Sequence, residues 1–338
     1  MVTIYDIAKK TGFSITTVSR ALNNYSDVSE KTKKLILQAV DEMGYYPNSI
    51  ARTLTTKKSW TIGVIFVEDL GVGIMHPFFS AVIESFKKYV EKFGYDIIFL
   101  SRNVGGEEKS YIDHALHRGV DGVIIVCSHD DDPEVKKLIE SPLQTVVIDL
   151  YSNKTSVVYS DNVNGSELAV QYLHSLGHRK IAHIYGHQKT MAGVERLKGF
   201  LSVVEKLQLN IPDSYIKDGS FFSVDGGMQA MSELLELGDP PTAVFAAGDA
   251  MAIGAMKAVE AAGLRVPEDV SIVGFDDIEL AQYVTPALTT IRQNTDLIGQ
   301  SAAEVLLKQI NNKNKVFSAV TIPVELMVRE SARPLKPE

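Results

Sequence analysis

The sequence predicts an α/β protein: a small helical unit at the head of the chain, then a large body of two doubly wound parallel sheets. Three observations predict it. Three short helices, each with its own start and stop signals, can be read in the first 45 residues. From Trp60 onward, apolar β-branched runs alternate with amphipathic helical stretches. Charge divides the same way. Residues 1–58 hold nine Lys or Arg against five Asp or Glu, a net of +4, and the whole chain is −8, which leaves −12 on the remainder. A basic unit joined to an acidic body points to a nucleic-acid reader.

The first helix runs from about Ile4 to Thr11. Thr3 and Asp6 form a capping box with Asp where Glu or Gln is usual, and Gly12 supplies the left-handed stop. Ser14 caps the second helix, in "SITTVSRALN". Val18, Ala21 and Leu22 turn inward at helical spacing, which leaves Thr16, Thr17, Ser19, Arg20 and Asn23 facing out. Ser29 caps the third, whose apolar stripe is Leu35, Ile36, Ala39, Val40 and Met43, and Gly44 ends it. Two short helices across a tight glycine turn, backed by a third, match a helix-turn-helix, although a plain three-helix cap with a solvated face fits the same pattern. Short hydroxyls let the backbone approach phosphates, and one arginine can hold guanine O6 and N7 together. In "YYPNSIARTLTTKKS", Asn48 or Ser49 can cap a helix over 49–54 with Ile50, Ala51 and Leu54 on one side. That helix is too short to stand alone in water, and a plain linker also fits.

The body's strands are read at "WTIGVIFV", "YDIIFL", "DGVIIV", "TVVID", "KIAHIY", "TAVFAA" and "DVSIVGF", with helices at 77–93, 107–118, 163–176, 190–207, 224–237 and 249–263. Two sheets of this kind place ligands at the carboxyl ends of their strands. Those ends carry His76, Pro77, Phe78 and Phe79, then Asp149, Asp161, Arg196 at a helix start, Asp249, Asp276 and Asp277. An arginine and an aspartate with aromatic rings nearby suit a polyhydroxyl ligand, and each residue taken singly also reads as a cap, turn or surface charge.

Other classes are disfavoured. No run of about 18 apolar residues implies a membrane span, and the amino terminus has no apolar signal core, so a cytoplasmic protein is expected. Cys127 is single and lies in an apolar run, as a packed small hydrophobe. There is no phosphate-binding loop and no nucleophile elbow. The pairs His114/His117 and His174/His178 do not make the His-Glu-x-x-His motif of a zinc hydrolase, and His178 follows Gly177 at a helix end, where an imidazole suits the negative pole. Neither catalysis nor a cofactor is expected.

The stretch from "TIYDIAKKTG" through "TVSRALN" and "VSEKTKKLI" to "GYYPNSIARTL" resembles the DNA-binding headpiece of the LacI/GalR family of bacterial transcriptional regulators. The resemblance implies a hinge that orders into a helix when two chains meet on DNA, with Leu54 wedged into the minor groove. It places base reading on Ile15 and Thr16 and the groove arginine at Arg20. The DNA-binding set is then Ser14, Ile15, Thr16, Thr17, Ser19, Arg20 and Asn23, joined by Asn48, Ala51 and Leu54 of the hinge. "MHPFFSAVIESF", "LGHRKIAHI", "ERLKGF", "GDAMAIGAMKAV", "VGFDDIELAQYVTPALTTIRQN" and "VELMVRES" resemble the rest of the same family, to about Arg333. That body shares its fold with periplasmic sugar-binding proteins. Effector positions carry over to Phe79, Asp149, Arg196, Phe221, Asp276 and Gln293, while Gly248 stands where many relatives have a polar side chain.

The expected organisation is a headpiece at 1–46, a hinge and linker at 47–59, and a body at 60–333. The body divides into an N-subdomain (60–161 and 292–322) and a C-subdomain (162–291 and 323–333), with chain crossings near 160–162, 291–293 and 321–323. The expected function is an effector-controlled repressor. Its expected partners are a palindromic operator, a sugar or similar small polar metabolite, and a second copy of the chain. The tail "ARPLKPE" carries no apolar heptad, so assembly is expected to stop at a dimer.

Overall fold

The computed structural model describes residues 2–23, 25–45, 58–67, 73–128, 132–312 and 317–335. The readings on Asn48, Ala51 and Leu54 lie outside them. The chain separates into two compact units, the first built on residues 1–61 and the second holding nearly all of the rest.

In the first unit, α1 (Ile4–Thr11), α2 (Ile15–Leu22) and α3 (Glu30–Met43) start and stop on local chemistry. Asp6 reaches back so that its carboxylate accepts from the Thr3 N–H at 2.8 Å and the Thr3 hydroxyl at 2.7 Å. Ser14 Oγ accepts from the Thr17 N–H, and Ser29 Oγ from the Thr32 N–H. Gly12 (φ 74°) and Gly44 (φ 60°) take the left-handed conformation that closes α1 and α3. The core is Ile7, Val18, Ala21, Val28, Ile36 and Val40, with Leu22 and Met43 packed against it. Leu35 departs from the expected stripe and is 48% exposed. A 100° step per residue carries it off the row of Ile36, Val40 and Met43 that faces α1 and α2.

The second unit contains two six-stranded sheets. The first is built from β1 (Thr61–Phe66), β2 (Asp96–Phe99), β5 (Gly122–Cys127), β6 (Gln144–Ile148), β7 (Ser156–Ser160) and β13 (Ala319–Ile322), in the order β13-β7-β6-β5-β1-β2. The second contains β8 (Ile181–Tyr185), β9 (Ile216–Asp218), β10 (Ala243–Ala246), β11 (Ser271–Asp276), β12 (Thr289–Gln293) and β14 (Val324–Met327), in the order β14-β12-β11-β10-β8-β9. Pairings are parallel from β1 through β13 and from β9 through β12, and β14 runs antiparallel against β12. Strand order reverses at β1 and at β8, so ligand crevices are expected beyond those two strand ends.

Helices α4 (Pro77–Glu91), α5 (Tyr111–Arg118), α6 (Pro133–Glu140), α7 (Asn162–Ser175), α8 (Met191–Lys206), α9 (Val224–Leu235), α10 (Asp249–Ala261) and α11 (Thr295–Asn312) cover the sheets. The helix read over 107–118 begins only at Tyr111. Asn103–Val104 (β3) and Glu107–Glu108 (β4) pair as a small hairpin, with Gly105 and Gly106 at positive φ in its turn. Beyond that hairpin, the unannounced strands among the described residues are β7, β9, β12, β13 and β14, and the unannounced α-helices are α6 and α11. After β7 the chain enters α7, which packs on β12 and β14. After β12 it enters α11, which packs back on β5, β6 and β7, and Pro323 separates β13 from β14. Helices α9 and α10 cross at contact distance. A Cβ on Gly227 would lie 2.1 Å from the Met251 carbonyl oxygen, and one on Gly254 would lie 2.0 Å from that of Val224.

Several histidines are structural. His114 Nδ1 sits 3.1 Å from the Ser101 amide. His178 Nε2 donates to the Arg333 carbonyl, and its Nδ1 accepts from Thr242 at 2.9 Å. Its charged form is disfavoured by burial, so it does not serve the helix end. Arg179 does that instead, donating to the His174 carbonyl at 3.0 Å. Cys127, at the end of β5, is half-buried.

His183, on β8, is fully buried and sandwiched between Phe200 and Phe245 at 4.7 and 4.8 Å, with Nδ1 donating to the Phe245 carbonyl. Burial lowers its pKa from 6.5 to about 4. A depressed native pKa means that the unfolded chain binds the proton first. The stability His183 contributes is therefore present above pH 6.5 and is lost as pH falls toward 4, by about 3 kcal/mol. His183→Leu should flatten this acid slope, measured as urea midpoints at pH 7 and pH 4.5. An unchanged slope would refute the assignment.

Candidate functional site

At the amino end of α2, Ser14, Ile15 and Thr16 are exposed, while Thr17 and Ser19 are half-covered. The unpaired amides of a helix amino terminus favour anions such as phosphate. Ile15, Thr16, Ser19 and Arg20 line a shallow concavity of about 460 Å³ with Tyr25. Arg20 is not a free charge. Asp27 grips its guanidinium, with Nε donating to Oδ1 at 3.2 Å and Nη2 on Oδ2, and the group lies 5.3 Å from the Tyr25 ring centroid. Asn23 turns its amide back onto the Ser19 carbonyl at 2.9 Å, so it closes the helix. Tyr25 and Asp27 carried no sequence signal, because a loop's return onto a helix face is set by the packing of α3.

In the second unit the centre is Arg196, 3% exposed and in the second turn of α8 rather than at its start. Its Nε donates to Asn162 Oδ1 at 2.8 Å, and Nη1 donates to the Ala247 carbonyl at 2.6 Å and Asp276 Oδ1 at 3.1 Å. The guanidinium lies 3.8 Å from the Phe275 ring centroid and 5.7 Å from that of Phe222. Asp276 Oδ1 also accepts from Gln293 Nε2 at 2.7 Å. Asp276 (φ 117°) and Asp277 (φ 56°) are consecutive positive-φ residues. Non-glycine backbone of that kind costs on the order of 1–3 kcal/mol and collects at functional sites.

Asp149, beyond β6, stands within electrostatic reach of Arg196, Glu195 and Asp276. His76 acts on Asp276 from the loop before α4, and its ring meets Phe79 at 4.7 Å. Tyr151 donates to Glu195 Oε1 at 3.2 Å, linking the loop after β6 to α8. Of the six expected effector residues, Arg196, Asp276 and Gln293 are thus in direct contact, while Asp149 and Phe79 reach them through charge and His76. Phe221 stands apart, 37% exposed and stacked on His187 at 4.0 Å; the ring over Arg196 belongs to Phe222. Sequence reasoning missed Asn162, Phe222, Phe275 and the Ala247 carbonyl. The doubled Phe in "SFFS" left the choice of ring open, and Phe275 precedes Asp276 in "VGFDD".

The remaining strand-end acids are structural. Asp161 caps α7 through the Asn164 N–H at 3.2 Å. Asp249 is fully buried, accepting from Thr290 at 2.5 Å and the Ile278 N–H at 2.9 Å; burial and the neighbouring Asp276 push its pKa well up. Asp277 is held by Arg292 at 2.7 Å and Arg329 at 2.5 Å. A groove of about 1100 Å³ shares Asp276 and Gln293 with the site and runs outward past Phe78 and Arg292.

Burial raises the Asp149 carboxyl to about 6, with the Arg196 charge pulling the other way. A raised native pKa adds stability that is present below pH 3.8 and lost as pH rises through about 6. At neutral pH the ionised group therefore costs up to about 3 kcal/mol. Asp149→Asn is expected to raise the melting temperature of the ligand-free chain at pH 7.5, with the gain vanishing below pH 4. Calorimetry at both pH values checks this, and equal melting at pH 7.5 would count against it.

The model of bacterial regulatory proteins of the lacI family matches residues 3–48, and that of the periplasmic binding protein-like domain matches 170–332. The HTH-type transcriptional repressor PurR of Vibrio vulnificus is 34% identical over 340 residues, covering 98% of this chain and 99% of that protein. Among solved structures, the lac repressor dimer bound to operator and the anti-inducer ONPF superposes with a TM-score of 0.81. It is 28% identical and covers 98% of this chain and 99% of that one. The complex of the transcriptional regulator CelR with cellobiose gives 0.72 at 30% identity, covering 98% and 100%. A helix-turn-helix head and a two-sheet body, matched together along almost the full length of known repressors, place this chain in the lacI family of bacterial regulatory proteins, as a DNA-binding transcription regulator and not an enzyme.

Proposed function

We propose that the protein is a cytoplasmic repressor that binds a palindromic operator as a homodimer and is switched by a sugar or a similar small polar metabolite. The observation that carries this is the buried cluster of Arg196, Asp276 and Gln293 on the same chain as an α2 that exposes Ile15, Thr16 and Arg20. The working division is a headpiece at 1–46, a hinge at 47–59, and a body at 60–333 in two subdomains. Ser14, Ile15, Thr16, Thr17, Ser19 and Arg20 meet DNA, and Asn23 supports them by closing α2. Asn48, Ala51 and Leu54 of the hinge complete the surface. Phe79, Asp149, Arg196, Asp276 and Gln293 form the effector set, with Phe222, from its place over Arg196, standing where the sequence had suggested Phe221. A ligand that binds one state of the body more tightly shifts the population of that state, and with it the pairing of two hinges on DNA.

Electrophoretic mobility shift on a selected operator tests the reading. The intact chain should bind and a chain lacking residues 1–59 should not; retained binding by the deletion would overturn it. Leu54→Ala should weaken operator binding and reduce DNA bending while effector affinity stays the same, because a wedge acts only in the complex. Unchanged bending in a permuted-site assay would remove Leu54 from the DNA-contact set.

A further inference from the structure

We infer that the body's ligand is an uncharged polyhydroxylated molecule, and that the site rejects the phosphorylated or carboxylated forms of the same molecule. This rests on the effector-controlled reading above and narrows it to a chemical class.

Acids surround Arg196 from separate elements: Asp149 from the loop after β6, Glu195 from α8 beside it, and Asp276 from the end of β11. The fully buried Asp249 lies behind Asp276 at the head of α10. The one guanidinium is already engaged, with Nε on Asn162 and Nη1 on Ala247 and Asp276. An incoming phosphate or carboxylate would meet three acids and a cation that has spent most of its donors. His76 acts on Asp276 and Lys198 on Glu195, while Arg292, in the adjoining groove, is held by Asp277.

Among the described residues, the unpartnered buried side-chain atoms at this cluster include two acceptors and one donor, Asn162 Nδ2. Gln293 is 4% exposed, and its Nε2 is fixed on the Asp276 carboxylate, so its Oε1 is an oriented acceptor, buried and without a partner. Asp149 Oδ1 is likewise shielded from solvent and unpartnered. Buried acceptors left this way are costly unless a donor arrives. A hydroxyl brings a donor and can also accept from Arg196, whereas an ionised phosphate or carboxylate at neutral pH brings chiefly acceptors and negative charge. The Phe222 ring over Arg196 and Phe79 beside His76 supply apolar cover of the kind a sugar ring uses.

The test uses the full chain in thermal-shift and calorimetric titrations with matched sets: glucose, glucose 6-phosphate and glucuronate; galactose, galactose 6-phosphate and galacturonate; ribose and ribose 5-phosphate; and cellobiose as a neutral disaccharide. At least one neutral member should raise the melting temperature, and its anionic derivative should bind at least about tenfold more weakly. In the variant Asp149→Asn/Glu195→Gln that gap should narrow. An anionic member that binds wild type as tightly as its neutral parent overturns the inference, as does silence from every neutral member. Operator binding measured without ligand separates the two failures: a chain that shifts operator yet prefers an anionic sugar refutes only the ligand class, while a chain that binds no DNA refutes the regulator reading.

Discussion

Arg20→Ala is expected to abolish the preference for operator over random DNA while the headpiece stays folded. Arg20 is exposed on α2 and contributes nothing to the core of Ile7, Val18 and Ile36, so its removal opens no cavity. A bidentate guanine contact supplies about 1–3 kcal/mol of base discrimination, and a dimer makes it twice. The expected loss is therefore about 2–6 kcal/mol, or roughly thirty- to twenty-thousand-fold in the specificity ratio. Random-sequence binding should change far less, because phosphate contacts dominate it. Arg20→Lys should fail nearly as badly, since the ammonium keeps the charge but loses the fork that Asp27 holds over Tyr25 in the free protein. Competition mobility shifts with operator and random duplexes at fixed salt measure the ratio. An unchanged ratio would show that Arg20 does not read bases.

Arg196→Ala should lower both effector response and stability, and the second effect separates it from Arg20→Ala. The guanidinium joins Asn162 of α7, Ala247 beyond β10 and Asp276 of β11, and rests on Phe275. Truncation leaves a buried carboxylate and a buried carbonyl without their donor, which costs about 3–5 kcal/mol when a buried ion pair is broken from one side. In a body of this size the melting temperature should fall by on the order of 10 °C. At a temperature where the variant is folded, operator binding should persist while ligand no longer changes it. Gln293→Ala is the milder partner to this experiment: it removes one of the two donors on Asp276 Oδ1 and keeps Arg196 in place. Normal ligand response in a destabilised Arg196→Ala chain would assign the residue to structure alone.

How far the sequence reaches follows from the range of the forces involved. Helix starts and stops in the headpiece were legible because Ser14, Ser29, Gly12 and Gly44 act on amides and carbonyls within one turn. The β-α alternation of the body was legible because periodic burial is written residue by residue; the strand ends it located included Asp276, while Arg196 and Asp276 were joined as a ligand pair by the family resemblance. Leu35 was misread because two adjacent leucine-like positions satisfy the same local pattern, and only the placement of α1 and α2 decides which is covered. The return of Asp27 onto Arg20, the choice of Phe222 over Phe221, and the joining of Asn162, Ala247 and Asp276 on one guanidinium span seven to eighty residues of chain. The pairing of β13 with β7 spans a longer stretch still, Ala319 lying opposite Val157, while β14, one proline later, lies against β12. The sequence by itself therefore determined the kinds of element, their order and the chemistry available at strand ends, all of which are settled by local energies. Only the tertiary structure decided which of those groups meet, because a pair distant in sequence gains nothing until the intervening chain has folded and brought its members together.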